Sequence, residues 1–159
     1  DLPAIIHQLD KSVNELRRIA RNMMPESLLT AGLETALREI CESFCSKELT
    51  IEFQAFNLEN NIPNELQVTI FRIVQELLTN AIRHAGATSI LVQCSQNEQV
   101  FYITVEDNGK GFNTNELQTG KGICLTNVRN KVDYLKGTLD IDAAPGSGTT
   151  INIEFNVDR

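Results

Sequence analysis

The residues with the clearest chemical potential lie on one predicted helix. Glu76, Asn80 and His84 recur every four residues, so they form a single ridge, with Arg83 beside it. A carboxylate, an amide, an imidazole and a guanidinium could bind a phosphorylated ligand, or they could simply cover a solvated helix surface. The ridge borders the apolar stripe of the same helix. We therefore expect it to lie at the edge of a pocket.

The ends of two predicted strands add a second polar group. Because side chains alternate along a strand, Asp107 continues the apolar face that contains Phe101, Ile103 and Val105. Thr149 continues the apolar face of the last strand in the same way. A carboxylate that points into a core is costly unless hydrogen-bond donors surround it. The pattern predicts a polar pair at the pocket, although Asp107 could also simply begin an Asp-Asn-Gly turn.

Glycines follow Asp107 in two pairs. Gly109 and Gly111 come directly after it, and Gly120 and Gly122 precede a predicted helix. Glycine allows close backbone approach, and the N–H groups at a helix start attract phosphate. The spacing matches neither a Walker loop nor a dinucleotide-binding fingerprint.

The elements that must position these residues follow from hydrophobic periodicity and turn signals. Helices are predicted at 30–45, between Pro63 and Gly86, and at 123–136, and strands at 49–56, 88–95, 99–106, 138–143 and 149–157. Grouped helices and successive strands indicate an α+β fold, a two-layer sandwich of helices on a mixed, mostly antiparallel sheet.

The first 25 residues form a separate pattern. Apolar side chains at spacings of 3, 4, 3, 4 and 3 define a heptad seam, which ends before Pro25. The seam consists of Ile6, Leu9, Val13, Leu16, Ala20 and Met23. The alternative is an amphipathic helix packed on its own domain. We divide the chain into a coiled-coil-like helical arm at 1–25 that pairs in a homodimer, and a globular domain at 26–159.

Composition limits the classes of function. The chain of 159 residues has a formal net charge of −7, which argues against direct nucleic-acid binding. Its apolar runs fall short of the ~18 residues of a membrane span. The cysteines at 41, 45, 94 and 124 lack metal-site spacing and are interpreted as small buried hydrophobes of a reducing compartment.

The four chemical segments together resemble the ATP-binding domain of sensor histidine kinases, in the GHKL superfamily that includes DNA gyrase. The segments are Glu76–Ala85, Asp107–Phe112, Gly120–Asn127 and Gly146–Thr150, in that order. They resemble the N box, two glycine boxes and terminal Gly-Thr element of that family. The arm resembles the second helix of the dimerisation and phosphotransfer hairpin, in kinases whose regulators are of the nitrate-response type. The resemblance implies a Bergerat-type ATP-binding fold.

The resemblance also implies roles for the site residues. Asp107 would accept a hydrogen bond from the adenine amino group, with support from Thr149. Asn80 would hold Mg²⁺ through its amide oxygen. Arg83 and His84 would approach the phosphates.

Glu76 would orient or deprotonate the attacking group. The glycines would flank a lid over ATP: Gly109, Gly111, Gly120 and Gly122. The implied enzyme is a protein histidine kinase that phosphorylates a histidine and passes the phosphoryl group to a response regulator.

The sequence departs from the family pattern at two places. Cys124 stands where the second glycine box usually has another glycine, so the lid could be stiffer. The acceptor histidine is expected on an upstream helix next to an acidic residue, whereas His7 is followed by Gln8. We therefore expect a longer parent protein that supplies the acceptor histidine. The domain is expected in the cytoplasm, either with or without a membrane anchor elsewhere in that parent.

Two alternatives remain. A GHKL-type ATPase would hydrolyse ATP to drive a conformational change, but the kinase-like arm counts against it. A non-catalytic nucleotide-binding module would not need the intact Asp107, Asn80 and lid glycines.

Overall fold

The computed structural model describes residues 3–6, 8–9, 28, 30–58, 62–84, 86–110 and 125–157. From residue 33 onward its regular elements are listed here in chain order. They are α1 (Leu33–Phe44), β1 (Thr50–Phe56), α2 (Asn64–His84), β2 (Ser89–Asn97), β3 (Val100–Asp107), α3 (Thr126–Tyr134), β4 (Thr138–Ala143) and β5 (Thr149–Asn156). Residues 3–6 and 8–9 of the predicted arm are helical, and the arm's later seam positions lie outside the described residues.

The strands form one five-stranded sheet in the order β1-β2-β3-β5-β4. β1 and β2 pair in parallel, and the pairs β2–β3, β3–β5 and β4–β5 are antiparallel. A parallel pair needs a long crossover connection, which α2 provides between β1 and β2. The prediction of a mixed, mostly antiparallel sheet is confirmed.

One face of the sheet is apolar and lies under the helices. α1 packs on β1, α2 on β3 and α3 on β4, with α2 also in contact with both other helices. The rings of Phe101 and Phe155 stack across β3 and β5 with centroids 5.5 Å apart in this core. The opposite face carries polar cross-strand pairs such as Gln54–Gln93 and Thr104–Asn152. This division of the two faces confirms the two-layer sandwich.

The long helix α2 is the main support of the core. The carbonyl oxygen of Pro63 accepts the hydrogen bond from the Gln67 N–H at 3.0 Å, so the helix begins where the sequence predicts. Gly86 follows its end with φ of 60°. The predicted apolar stripe is buried, apart from the partly buried Ile82. Its fully buried members are Leu66, Ile70, Ile73, Val74, Leu77, Leu78 and Ala81.

Two local expectations need correction. Cys45 is exposed, whereas Cys41 and Cys94 are buried as predicted. Cys45 follows the last residue of α1 in an extended conformation, so it has left the buried helix face. In addition, α3 spans Thr126–Tyr134, which is shorter than the predicted 123–136.

Candidate functional site

Asp107 and Thr149 lie side by side where β3 ends and β5 begins. They are direct partners in the antiparallel register, and only 9% and 5% of their surfaces are exposed. Both therefore point toward the helices, which confirms the expectation from strand alternation. The pair places a carboxylate and a hydroxyl at the end of the apolar core, where water is largely excluded.

The carboxylate of Asp107 is held by backbone donors. The Gly109 N–H donates to Oδ1 at 2.9 Å, and the Thr149 N–H also donates to the carboxylate. Burial raises the pKa of Asp107 above its ordinary value of 3.8, and the two hydrogen bonds act in the opposite direction. A buried carboxylate that keeps unused acceptor positions is suited to an N–H donor on a ligand.

Asn108 ties this turn to the start of β2. Its Oδ1 accepts from the backbone N–H groups of Thr88 and Ser89 at 2.9 and 3.0 Å. Its Nδ2 donates to Thr88 Oγ1 at 2.9 Å. α2 ends at His84, four residues before Thr88, so a short segment connects these hydrogen bonds to the end of α2. Sequence analysis attributed no role to Asn108, and its place in an Asp-Asn-Gly turn was the available signal.

The turn before β5 also approaches Asp107. Gly148 is buried with φ of 75°. A Cβ atom at this position would overlap the carbonyl oxygen of Asp107. The Gly146 N–H donates to the carbonyl oxygen of Lys110, which connects this turn to the chain that follows Asp107. The close approach requires glycine at 148.

The α2 ridge contains an ion pair that the sequence analysis missed. Lys131 Nζ on α3 lies 2.7 Å from Glu76 Oε1, and the two side chains are 31% and 29% exposed. Asn80, one turn after Glu76, is half-buried and has a hydrogen-bonding or electrostatic partner. His84 is the last residue of α2, and its side chain lies outside the described part.

Arg83 lies near the C-terminal end of α2, one residue before His84. It is exposed and lines an open cavity of about 630 Å³ that also includes Phe44, Leu49 and Ile82. This cavity lies between the turn from α1 to β1 and the residues that follow α2. Asp107, Thr149, Glu76 and Asn80 do not line it.

The rest of the predicted glycine loop lies outside the described residues. This applies to Gly111, Gly120, Gly122 and Cys124, whereas Gly109 is described and contacts Asp107. The described candidate residues are therefore the Asp107–Thr149 pair and the Glu76–Asn80 ridge. The amide oxygen of Asn80 is a hard donor of the type that Mg²⁺ prefers.

Comparison with known proteins shows that this fold is that of an ATPase domain and identifies its family. The model of the histidine kinase-, DNA gyrase B-, and HSP90-like ATPases matches residues 65–159. The chain belongs to this ATPase family, as its four sequence segments predicted.

The similar proteins are sensor kinases. The chain is 31% identical to the signal transduction histidine-protein kinase/phosphatase DegS of Brevibacillus brevis over 147 residues, covering 92% of this chain and 38% of that protein. It is 25% identical to the oxygen sensor histidine kinase NreB of Staphylococcus carnosus, covering 94% of this chain and 43% of that protein. The chain thus spans less than half the length of these relatives.

A solved structure shows the same architecture. The histidine kinase domain of the blue-light activated histidine kinase of Erythrobacter litoralis superimposes with a TM-score of 0.65 at 26% identity. The match covers 79% of this chain and 61% of that one. The fold is therefore that of a histidine kinase ATPase domain. Among the described residues, no helix has the length and apolar character needed to cross a membrane.

Proposed function

We propose that residues 26–159 form the catalytic ATP-binding domain of a two-component sensor histidine kinase. The domain binds Mg-ATP and transfers the γ-phosphoryl group to a histidine on a separate helical segment, from which a response regulator aspartate receives it. Residues 1–25 pair with a second copy as part of the dimerisation hairpin. The observation that carries this proposal is the buried Asp107–Thr149 pair at the end of the sheet face on which α2 packs.

Adenine recognition is assigned to Asp107. Its carboxylate receives the Gly109 and Thr149 N–H groups and has acceptor capacity left for the exocyclic amino group of adenine. Thr149 supports this arrangement from the neighbouring strand. Guanine carries an oxygen at the equivalent ring position, so a carboxylate there disfavours GTP.

The phosphates are assigned to the end of α2 and to the glycine loop. Asn80 holds Mg²⁺ through its amide oxygen, and the ion supplies charge neutralisation at the phosphates when bound. Arg83 and His84 approach the phosphates, and the lid glycines are Gly109, Gly111, Gly120 and Gly122. Glu76 orients the attacking histidine and accepts its proton. The expected location of the domain is the cytoplasm.

Calorimetric titration of the 159-residue chain tests adenine recognition. We expect Asp107→Asn to weaken binding of a non-hydrolysable ATP analogue with Mg²⁺ by roughly 10- to 100-fold, since a hydrogen bond to a charged group contributes ~1.5–3 kcal/mol. The preference for the ATP analogue over the matching GTP analogue should also decrease. The matched control is Asp142→Asn, which removes an exposed carboxylate from β4 and should bind like the wild type.

Equal loss in both variants would show that net charge, rather than Asp107, determines the affinity.

For the metal, we expect Asn80→Ala to abolish the increase in nucleotide affinity that Mg²⁺ produces. Asn64→Ala, at the exposed first residue of α2, should retain this increase.

Phosphoryl transfer is tested by mixing the chain with a separate hairpin that carries the acceptor histidine. We expect γ-labelled ATP to produce an acid-labile label on the hairpin. Release of inorganic phosphate with no labelled hairpin would instead support the ATPase alternative.

A further inference from the structure

The contact between Glu76 and Lys131 connects two helices that lie far apart in the sequence. Glu76 lies on α2 and Lys131 on α3, and their charged atoms are 2.7 Å apart. Each side chain is about 30% exposed, so the pair is partly shielded from water. A charge-assisted hydrogen bond of this length in such a setting is stronger than one at an exposed surface.

The second carboxylate oxygen of Glu76 is in an unusual position. Oε2 is buried and, within the described residues, has no hydrogen-bond partner. A buried acceptor without a donor is unfavourable, and such groups in folded proteins call for a specific explanation. Lys131 binds Oε1, so this ion pair is the contact in the described part of the chain that holds the Glu76 carboxylate in one orientation.

The surroundings of Lys131 show why its ammonium group is directed to Glu76. Val128 and Val132 are buried on the same helix and Leu135 is buried directly after it, so the aliphatic stem of Lys131 borders an apolar surface. Lys131 therefore reaches across the interface between α2 and α3, which pack together.

We propose that Lys131 is a positioning residue for Glu76, an inference that rests on the proposed function. By binding Oε1, Lys131 restricts the rotamers of Glu76 and fixes its carboxylate at the border of α2 and α3. The imidazole nitrogen forms a bond to the γ-phosphorus while the bond from that phosphorus to the β–γ bridging oxygen breaks. The electron pair of the broken bond leaves on ADP. The N–H proton of the acceptor passes to the Glu76 carboxylate and then to solvent.

Four variants of the 159-residue chain, together with Glu76→Gln alone as a reference, test this assignment, each assayed with the separate acceptor hairpin. Lys131→Met keeps the aliphatic stem and removes the ammonium group. We expect it to lower the transfer rate at saturating ATP by roughly 10- to 100-fold, less than the ~10²- to 10⁴-fold contribution of a general base because Glu76 itself remains, while the KM for ATP changes less than about twofold. Lys131→Arg should restore most of the rate, because a guanidinium can also bind a carboxylate oxygen.

The third variant, Arg129→Met, removes an exposed positive charge from the same helix and should transfer at the wild-type rate. The fourth combines Lys131→Met with Glu76→Gln. If Lys131 acts only through Glu76, the double variant should be no slower than Glu76→Gln alone.

Three results would overturn the assignment: a wild-type rate in Lys131→Met, a loss confined to KM or thermal stability, or additive effects in the double variant. Any of these leaves the proposed function intact, since the wild-type chain still transfers. A wild-type chain that binds ATP and labels no hairpin refutes the proposed function, and this inference falls with it.

Discussion

Replacement of Gly148 by alanine tests how the turn before β5 shapes the nucleotide site. Gly148 and Gly146 have φ angles of 75° and 81°, so alanine at either position must adopt a left-handed conformation. That conformation costs an L-residue ~1–2 kcal/mol. A Cβ at Gly146 meets nothing within 4 Å, whereas one at Gly148 overlaps the Asp107 carbonyl oxygen.

We therefore expect different effects from the two variants. Gly146→Ala should lower the free energy of unfolding by ~1–2 kcal/mol. Gly148→Ala should lower it by a further ~1–3 kcal/mol, the usual cost of an atom inserted into a packed region, because β3 and β5 must separate locally. The same displacement moves the Asp107 carboxylate, so affinity for the ATP analogue should decrease strongly only in Gly148→Ala.

Urea denaturation and calorimetric titration of both variants measure the two effects. Gly146→Ala is the control, since it has the same backbone requirement without the overlap. Equal destabilisation together with equal nucleotide affinity would refute the view that the close approach of Gly148 to Asp107 shapes the site.

Three further changes have defined outcomes. Burial raises the pKa of Asp107, so the folded state loses stability as pH rises from about 3.8 through the folded-state pKa. In urea denaturation from pH 4 to 8, the free energy of unfolding of Asp107→Asn minus that of the wild type should increase with pH and then level off. A difference that stays constant over this pH range would contradict the prediction. Asn108→Ala should lower the free energy of unfolding in urea by ~1–2 kcal/mol, because two exposed backbone N–H groups and a hydroxyl exchange their Asn108 partner for water. Phe101→Ala should cost ~3–5 kcal/mol in urea denaturation, whereas Tyr102→Ala on the outer face should cost far less.

The sequence predicts the parts of the fold that depend on local periodicity. Alternation along β3 and β5 places Asp107 and Thr149 on the inner face, and the structure shows both buried. The stripe of α2 follows from its helical period in the same way. These features depend on neighbours within a few residues, so they can be read without knowledge of the tertiary structure.

Features that depend on tertiary contacts are harder to predict. The order of the strands, with β5 between β3 and β4, depends on pairings between segments far apart in the sequence. The lack of metal-site spacing leads to the prediction that Cys45 is a small buried hydrophobe, but the chain leaves α1 at that residue. Periodicity describes a helix and does not show where its last turn ends.

The position of Lys131 in the sequence is the feature from which its contact with Glu76 on α2 could have been predicted. It lies three residues after Val128 and one before Val132, on the edge of the buried stripe of α3. A charged group next to an apolar stripe requires an oppositely charged or hydrogen-bonding partner, because its desolvation is otherwise uncompensated. The corresponding feature on α2 is Glu76, a carboxylate beside the buried Ile73 and Leu77. The apolar stripes of α2 and α3 must face the same core, and each has a charge of opposite sign at its border. This pattern indicates a contact between the two helices, but the sequence alone does not establish which charged residues meet.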